Sequence, residues 1–383
     1  MNMKKKRIGI DATALPPQPA GAGIYTINLI RSLAALNPDF ELYVFAQQSS
    51  RRLIELENSG SINWVLLPDK SPPHRLVWEQ TGLPGLVRKT GLDLLHSPHY
   101  TRPVSLGCAS VVTFHDMTFF LYPRYHTFFK RIYFPAAMRK SARSADALIA
   151  VSENTKADII QHLGISASKI HIIYHGVDDR FKPISDKNFL NTISQKYNLP
   201  AGFILYVGVV EPRKNLVSLL SAFHELNKNN NNLILVIAGQ PGWGYNEVKK
   251  IVAGYNLKDS VILAGFIPPE DLPAIYNLAK IFVYPSIYEG FGLPVLEALA
   301  CGTPTITTRV SSLPEITGDA GILVPPGDDE ALRMALQTLL EDEKEQNRLS
   351  KMGPQRAVRF RWNRTAQETL DVYKQVLEEY ESG

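Results

Sequence analysis

Short apolar runs alternate with amphipathic stretches along both halves of the chain. Short apolar runs predict buried strands, and apolar positions spaced three or four residues apart predict helices between them. The first half has such runs at 7–10, 41–45, 63–66, 92–96, 110–114, 147–151 and 171–173. The second half has them at 203–207, 233–238, 260–263, 281–284, 305–307 and 321–324. Strands that alternate with helices indicate parallel sheets covered on both faces, so the pattern predicts an α/β fold with two doubly wound domains.

The domain boundary is predicted in a turn-rich stretch at 176–183, because 383 residues exceed one typical core. We therefore expect an N-terminal Rossmann-like domain over 1–180 and a C-terminal one over 181–360. Ligands of such sheets bind beyond the carboxyl ends of the strands. If the two domains face each other, the site lies in the cleft between them.

Composition changes this picture little. The chain is 45% hydrophobic and 20% charged, which is typical of a globular protein. Its net charge of +4 does not imply nucleic acid; it suits an anionic small molecule or membrane surface, and equally simple solubility. Cys108 and Cys301 form neither a metal-binding spacing nor a disulfide framework. Because no signal segment or membrane-spanning run is evident, we expect a cytoplasmic protein.

Glu289 and Glu297 bracket a glycine-containing turn in the most informative stretch of the chain. The pattern predicts a strand at 281–284, a turn at 285–292 and a helix that opens at 293, with Pro294 in its first turn. Free N–H groups at a helix N-terminus favour a phosphate. Glu289 is predicted to lie in the loop, free to face a cleft, whereas Glu297 in an apolar helix needs a partner such as a ribose diol. Alternatively, Glu297 caps a neighbouring loop and Glu289 is solvated.

Gly21 and Gly23 lie in a loop that follows Asp11 and precedes a helical pattern. As a dinucleotide fingerprint this loop lacks the third glycine, and no acid ends the second strand, so NAD binding is disfavoured. The loop predicts a close approach to a phosphate or a sugar. The alternative is a tight turn without a ligand.

His115 stands beside Asp116 just past the strand at 110–114. A histidine in this position is able to donate a hydrogen bond to a substrate hydroxyl or carbonyl. The alternative is a buried histidine satisfied by the backbone. His96 and His99, at the end of the preceding strand, have the same two interpretations.

Arg213 and Lys214 follow the first strand of the second half, after Gly208, and are predicted to open a helix over 216–220. Cations at a helix N-terminus are disfavoured by the dipole unless an anion accompanies them, and this pair suits a diphosphate. The alternative is a surface salt-bridge cluster with Glu211.

Two later loops, at 239–244 and 265–268, expose backbone together with aromatic or branched side chains. Phe266 and Ile267 in the second of them are candidates for holding a nucleobase. The sequence does not determine which base.

Together these motifs resemble the retaining nucleotide-sugar glycosyltransferases of family 4, also called the group 1 glycosyltransferases. The resemblance covers essentially the whole chain and rests on segments at 21–23, 151–155, 176–178, 208–215 and 289–297. It implies the GT-B fold, which has two facing Rossmann-like domains. It also implies that a final helix at 361–383 crosses back to pack on the N-terminal, acceptor-binding domain, while the C-terminal domain binds the donor.

The resemblance also implies roles for residues. Arg213 and Lys214 would bind the donor diphosphate, Glu297 the ribose, and Glu289 the donor hexose, which His115 would also contact. These assignments make His115, Glu289, Arg213 and Lys214 the catalytic candidates. Gly21 and Gly23 would lie near the diphosphate or the acceptor. The implied donor-binding set is Gly21, Gly23, Gly208, Arg213, Lys214, Phe266, Ile267, Glu289, Gly290, Phe291, Gly292, Leu293 and Glu297.

The expected reaction is transfer of a hexose with retention to a glycan or lipid-linked glycan acceptor in polysaccharide assembly. Segments 113–116 and 208–215 look most like mannosyltransferases that use GDP-mannose. The alternatives are a transferase for UDP-glucose or UDP-N-acetylglucosamine, an epimerase or phosphorylase, and a non-catalytic nucleotide-sugar or glycan-binding subunit. No metal or other cofactor is expected, because no Asp-x-Asp motif is present.

Aromatic and basic residues mix between 119 and 143. Such a segment is suited to peripheral contact with an anionic membrane on its cytoplasmic face. The alternative is an ordinary helix that packs its aromatic face on the first domain.

Overall fold

The computed structural model describes residues 5–36, 39–54, 62–228 and 232–382. The chain forms two compact units, one made of Met1–Gly176 with Arg361–Gly383 and the other of Val177–Phe360. The chain therefore leaves the first unit after Gly176, a few residues before the predicted boundary at 180, and returns to it at Arg361.

The first unit is built on a parallel sheet of seven strands in the order β3-β2-β1-β4-β5-β6-β7. Its strands are β1 Lys6–Asp11, β2 Phe40–Gln47, β3 Ile62–Leu67, β4 Leu94–Ser97, β5 Ala109–Phe114, β6 Ala147–Ala150 and β7 Ile170–Ile172. Its helices are α1 Ala22–Ala35, α2 Arg51–Ile54, α3 Pro72–Thr81, α4 Leu83–Thr90, α5 Thr118–Leu121, α6 Phe128–Ser144, α7 Glu153–Leu163 and, from the end of the chain, α16 Trp362–Ser382.

The second unit contains a parallel sheet of six strands in the order β10-β9-β8-β11-β12-β13. Its strands are β8 Ile204–Val207, β9 Leu235–Ala238, β10 Val261–Gly265, β11 Ile281–Tyr284, β12 Thr305–Thr308 and β13 Ile322–Val324. Its helices are α8 Lys187–Lys196, α9 Leu216–Asn227, α10 Tyr245–Gly254, α11 Leu272–Leu278, α12 Leu293–Ala300, α13 Leu313–Thr317, α14 Asp329–Glu341 and α15 Glu343–Ala357.

The central strands are buried along their whole length because both of their faces are covered. Every residue of β4, β5, β6, β8, β9, β11 and β12 is buried. This is the behaviour expected of parallel sheets, which lie between layers of helices. The predicted fold class, two Rossmann-like α/β domains, is confirmed.

Strand order reverses between β1 and β4 in the first unit and between β8 and β11 in the second. In open α/β sheets, ligands bind in the crevice outside the carboxyl ends of the strands at such a reversal. The loops after β1, β4, β8 and β11 are therefore the places to look for a site. In the ranges that the structure describes, no helix has both the length and the apolarity needed to cross a bilayer.

Candidate functional site

The loops after β8 and β11 bring two cations and a carboxylate together in the second unit. Arg213 and Lys214 lie on a 3-10 turn, Pro212–Lys214, and α9 begins two residues later at Leu216. The helix begins at Leu216 as predicted, but the two cations lie on the turn before it and not in its first turn. Asn215, in the left-handed region with φ of 53°, separates the turn from the helix. The cations are thus held beside the carboxyl ends of β8 and β11, where a ligand is expected.

Lys214 is the buried centre of this cluster. Its Nζ donates to the Tyr284 hydroxyl at 2.5 Å and to Glu289 Oε1 at 2.6 Å. Arg213 approaches the same carboxylate oxygen at 3.1 Å, and its other nitrogen donates to Glu211 Oε1 at 2.7 Å. Glu289 is therefore buried and ion-paired, which corrects the alternative that it is solvated.

The neighbouring charges change the pKa values of both Glu289 and Lys214. Burial by itself would raise the pKa of Glu289, but Arg213 and Lys214 lower it to about 2, so the carboxylate stays ionised. Burial and the nearby Arg213 lower the pKa of Lys214, and Glu289 only partly opposes them. Arg213 and Lys214 share Glu289, and Arg213 also pairs with Glu211, so the two cations face two carboxylates. The N–H groups of both cations are of the kind that binds an anionic ligand.

Glu297 lies on α12, and its one hydrogen-bond partner among the described residues is neutral. The Tyr276 hydroxyl, on α11, donates to its Oε2 at 2.9 Å. Burial raises the pKa of Glu297 to about 7, against smaller opposing effects of the Tyr276 hydrogen bond and Arg180. Tyr276 is therefore one of the partners that the sequence predicts this glutamate to need. The carboxylate retains acceptor capacity for a diol.

The turn that contains Gly290, Phe291 and Gly292 is anchored by Ser312, the N-cap residue of α13. Ser312 Oγ donates to the carbonyl oxygens of Glu289 at 3.0 Å and Phe291 at 2.7 Å. Gly292 has φ of 107°, and a Cβ there would meet Leu313 Cδ2 at 2.8 Å. Only glycine adopts this conformation without strain. The turn directs the chain into α12, which begins at Leu293 as predicted.

The remaining predicted residues of the second unit differ in what they expose. Phe266, just past β10, is 46% exposed, so its ring is available for stacking. Ile267 is buried, and its side chain is unsuited to the predicted contact with a base. Gly208 uses its N–H on the Ala238 carbonyl at 2.9 Å, so it offers a small backbone surface rather than a donor.

His115 is buried in the first unit among aromatic rings. Its Nε2 lies 2.8 Å from the Pro98 carbonyl oxygen, which only accepts, so Nε2 carries the proton. Burial lowers the pKa of His115, and the neutral ring keeps an Nδ1 lone pair that has no hydrogen-bond partner among the described residues. The predicted donation to a substrate is therefore corrected: His115 is able only to accept.

Gly21 and Gly23 form the entry to α1, also in the first unit. Gly21 precedes the helix with φ of 46°, and Gly23 donates its N–H to the Ala20 carbonyl at 2.9 Å. A Cβ on Gly23 would meet Pro19 Cβ at 2.9 Å, so this loop folds closely on itself. The site residues thus divide into three in the first unit and eleven in the second: Gly21, Gly23 and His115; and Gly208, Arg213, Lys214, Phe266, Ile267, Glu289, Gly290, Phe291, Gly292, Leu293 and Glu297.

Sequence reasoning missed the hydroxyl groups that bind the charged side chains of the site. Tyr284 binds Lys214, Tyr276 binds Glu297, and Ser286 Oγ donates to Glu289 Oε1 at 2.6 Å. Tyr284 is the last residue of β11, where polar groups of a parallel sheet meet a ligand, so its position was a usable signal. Tyr276 lies in a helix, where its position in the sequence gives no comparable signal.

Comparison with protein families matches nearly the whole chain in two parts. The model "Glycosyltransferase Family 4" matches residues 19–181, and "Glycosyl transferases group 1" matches residues 191–356. O-antigen chain mannosyltransferase B of Escherichia coli is 34% identical over 283 residues, which cover 73% of this chain and 74% of that protein. Serotype-specific mannosyltransferase WbdA, also of Escherichia coli, is 31% identical over 239 residues, which cover 61% of this chain but 29% of WbdA.

A solved structure shows the same fold. Sucrose-phosphate synthase from Thermosynechococcus elongatus superposes with a TM-score of 0.79 at 23% identity, over 98% of this chain and 100% of that one. At this level of identity the similarity concerns the fold and not the substrate. Together with the two sheets, it identifies the fold as GT-B.

Proposed function

The chain belongs to the group 1 glycosyltransferases, and we propose that it is a retaining mannosyltransferase that uses GDP-mannose. Group 1 glycosyltransferases are enzymes that transfer hexoses. The acceptor is a glycan or lipid-linked glycan in polysaccharide assembly, carried on a cytoplasmic membrane face. Mannose as the sugar is supported by the O-antigen chain mannosyltransferase B of Escherichia coli, of which the match covers 74%.

The buried cluster of Arg213, Lys214 and Glu289 is the observation that carries the proposal. Among its described contacts, Lys214 uses two of its three N–H groups, on Tyr284 and Glu289. The third is available to a phosphate oxygen. The planar fork of Arg213 and the point charge of Lys214 both suit a diphosphate.

The rest of the donor follows from the neighbouring elements. Glu297, held by Tyr276, accepts hydrogen bonds from the ribose hydroxyls, and the exposed ring of Phe266 stacks on the base. Glu289, fixed by Lys214 and Ser286, orients the hexose. In the first unit, His115 offers its Nδ1 lone pair to a substrate hydroxyl.

Transfer with retention then proceeds on one face of the sugar. The bond between the anomeric carbon and the diphosphate oxygen breaks, and the acceptor oxygen forms its bond to the same face. The acceptor proton passes to the departing diphosphate. Arg213, Lys214 and the N-terminus of α12 stabilise the negative charge that develops on the leaving group, so no metal ion is required for this step.

A donor panel tests the proposal. GDP-mannose, UDP-glucose, UDP-N-acetylglucosamine and ADP-glucose are compared by thermal shift, by slow nucleotide release without acceptor, and by transfer to a mannosylated oligosaccharide. We expect the largest shift and turnover with GDP-mannose, and loss of turnover in Lys214→Ala. Turnover with a UDP-sugar alone would contradict the donor assignment. A shift without turnover for any acceptor would indicate a binding subunit.

The membrane contact is made by α6. Phe128, Phe129 and Ile132 are 77%, 58% and 61% exposed at its beginning, although Phe119 and Phe134 stack beneath at 4.4 Å. Exposed basic residues flank this apolar patch at Lys130, Arg131, Arg139, Lys140 and Arg143. Aromatic insertion combined with basic attraction suits an anionic surface that presents a lipid-linked acceptor.

Flotation with vesicles tests this contact. We expect the protein to float with phosphatidylglycerol vesicles and to sediment with neutral phosphatidylcholine vesicles. The variant Phe128→Ser with Ile132→Ser should lose flotation, and Phe189→Ser, which removes a comparably placed exposed aromatic of the second unit, should keep it. Equal flotation of all three proteins would refute the assignment to α6.

A further inference from the structure

Trp243 is an exposed aromatic residue in the loop at 239–244, which follows β9. It is 61% exposed, whereas Trp64 and Trp78 are half-buried and Trp362 is buried. A single exposed apolar residue is ordinary on a protein surface. Trp243 differs from such residues in the position of its loop and in how closely that loop packs on its neighbours. Aromatic side chains in such positions commonly line ligand sites.

The loop of Trp243 packs closely on the segment that follows β8. A Cβ on Gly242 would meet the Val210 carbonyl oxygen at 2.4 Å. On the other side of Trp243, a Cβ on Gly244 would meet Pro212 Cδ at 3.2 Å. The backbone on either side of the ring is therefore packed against this segment, and a larger residue at Gly242 would not fit.

The same contact places Trp243 beside the proposed diphosphate site. The turn Pro212–Lys214, which carries both cations, continues directly from the segment after β8. Strand β9 lies between β8 and β10, the strand that precedes Phe266. The N–H of Gly239 donates to the Gly265 carbonyl at 2.7 Å, so the loops after β9 and β10 are hydrogen-bonded to each other. Trp243 and Phe266 are thus two exposed aromatic residues on neighbouring loops at the carboxyl end of the sheet, where ligands bind.

The order of the strands indicates which part of a nucleotide sugar Trp243 meets. In the order β10-β9-β8-β11, the loop of Glu289, the proposed hexose ligand, lies on the opposite side of β8 from Trp243. The loops after β9 and β10 lie one and two strand spacings from β8, about 5 and 10 Å away. Glu297, the proposed ribose ligand, is bonded to Tyr276 of α11, the helix that follows the Phe266 loop. The base is therefore the part of the donor that extends toward Trp243.

The loop at 239–244 also has the polarity that a base requires. Its sequence is Gly-Gln-Pro-Gly-Trp-Gly, without a charged side chain, so it suits a neutral ring better than a phosphate. Every base has a π-face that stacks on an aromatic side chain. Guanine and adenine have two fused rings and present more stacking area than uracil or cytosine. A second aromatic side chain therefore favours the larger bases.

We propose that Trp243 and Phe266 are two aromatic walls of the base subsite, and that Trp243 makes this subsite favour purine over pyrimidine nucleotides. The inference rests on the proposed nucleotide-sugar donor and assigns it a specificity-determining residue. Phe266 by itself stacks on any base. The ring of Trp243 adds contact area that the fused purine rings use more fully, so it contributes selectivity as well as affinity.

Titration calorimetry of the whole chain with GDP, ADP, UDP and CDP tests this preference without a sugar or an acceptor. We expect the wild type to bind the two purine diphosphates more tightly. Trp243→Ala should weaken the binding of GDP and ADP about 5- to 150-fold, the range for removal of one stacking ring, and should weaken UDP and CDP less. Trp243→Phe, which keeps a smaller ring, should retain most of the purine affinity.

Tyr255→Ala is the matched control. Tyr255 is a 37% exposed aromatic residue at the far end of α10, where its ring stacks on His224 at 4.3 Å. This variant should bind all four diphosphates as the wild type does. Because Trp243 is largely exposed, Trp243→Ala should keep the wild-type melting temperature, which separates a loss of affinity from unfolding.

Tryptophan fluorescence measures the contact directly. A base that stacks on an indole ring quenches its emission, so GDP should quench the fluorescence of the wild type. The quenching should disappear in Trp243→Phe, because the remaining tryptophans, Trp64, Trp78 and Trp362, all belong to the first unit. Equal quenching in both proteins would overturn the inference.

The outcomes distinguish this inference from the proposed reaction. Purine binding that depends on Trp243, without sugar transfer to any acceptor, would support the base subsite although the proposed reaction fails. Unchanged GDP affinity in Trp243→Ala, together with normal sugar transfer, would overturn the inference and leave the reaction standing. An equal loss of GDP and UDP affinity would also overturn it. A higher acceptor KM with unchanged GDP affinity would overturn it as well, because Trp243 would then contact the acceptor.

Discussion

Replacing Glu297 with glutamine should make the free protein more stable and its donor binding weaker. Burial raises the pKa of Glu297 to about 7, from an ordinary value of 4.5. Between these two pH values the folded protein holds more protons than the unfolded chain. Stability therefore falls as pH rises through this window, and the whole penalty is present above pH 7. Glutamine keeps the shape and the acceptor for Tyr276 and has no charge to bury.

The size of the effect follows from the shift. About 2.5 pKa units correspond to about 3 kcal/mol at ~1.36 kcal/mol per unit. The new amide N–H group, if it lacks an acceptor, costs about 1 kcal/mol of this gain. A net gain of about 2 kcal/mol in a unit of this size raises its melting temperature by about 4–8 °C. At pH 5 most of the penalty is absent, so the variant and the wild type should melt within about 2 °C of each other.

Scanning calorimetry at pH 5 and pH 8 measures this difference and resolves separate transitions of the two units. Tyr276→Phe is the companion variant, because it removes the hydroxyl that lowers the pKa of Glu297. In that protein the binding transition described below should move to higher pH. If Glu297→Gln changed the melting temperature equally at pH 5 and pH 8, the assigned pKa would be refuted.

Donor binding should depend on the same titration of Glu297, with affinity rising as pH rises. Only the ionised carboxylate accepts two hydroxyl groups of a ribose, so GDP affinity should fall about tenfold between pH 8 and pH 6. At pH 7, binding should release about half a proton, seen as a dependence of the calorimetric heat on buffer ionisation. Phosphate groups also titrate near pH 6. In Glu297→Gln only the phosphate groups still titrate, so this variant measures their contribution to the pH dependence of binding.

Three other changes probe the site of the second unit. Lys214→Ala should lower kcat/KM for the donor about 10²–10³-fold, because a cation that stabilises the leaving group is lost. Nucleotide release measures this change. Full turnover in the variant would contradict the mechanism. Gly292→Ala forces a side chain into a left-handed backbone against Leu313 and should cost about 1–3 kcal/mol of stability, visible as a lower melting temperature. EDTA should leave turnover unchanged in a coupled assay, whereas loss of activity restored by Mg²⁺ would show that a metal ion takes part.

The fold was predictable because both sheets are parallel and buried. Strands covered on both faces are mostly apolar, and β11 and α12 lie where the apolar run and Pro294 predict them. The family resemblance rests on short motifs, and the family matches confirm it. The site was predictable to the extent that its residues follow strand ends in the chain.

The pairing inside the site was not predictable. Lys214 and Glu289 are 75 residues apart, and only the closing of the sheet between β8 and β11 brings them together. Which nitrogen of His115 holds the proton depends on the carbonyl of Pro98, a contact that no local pattern encodes.

The return of the chain through α16 makes the first unit discontinuous in sequence. Tyr373 of α16 lies with its hydroxyl 2.5 Å from His96, and Thr365 donates to the Tyr174 carbonyl at 2.7 Å. During synthesis, the unit that begins first is therefore completed last, after the second unit has left the ribosome and is free to fold. A fragment that stops at Gly176 would expose the surface that α16 covers. Expression of the first unit alone should therefore require α16 to be joined back to it by a linker.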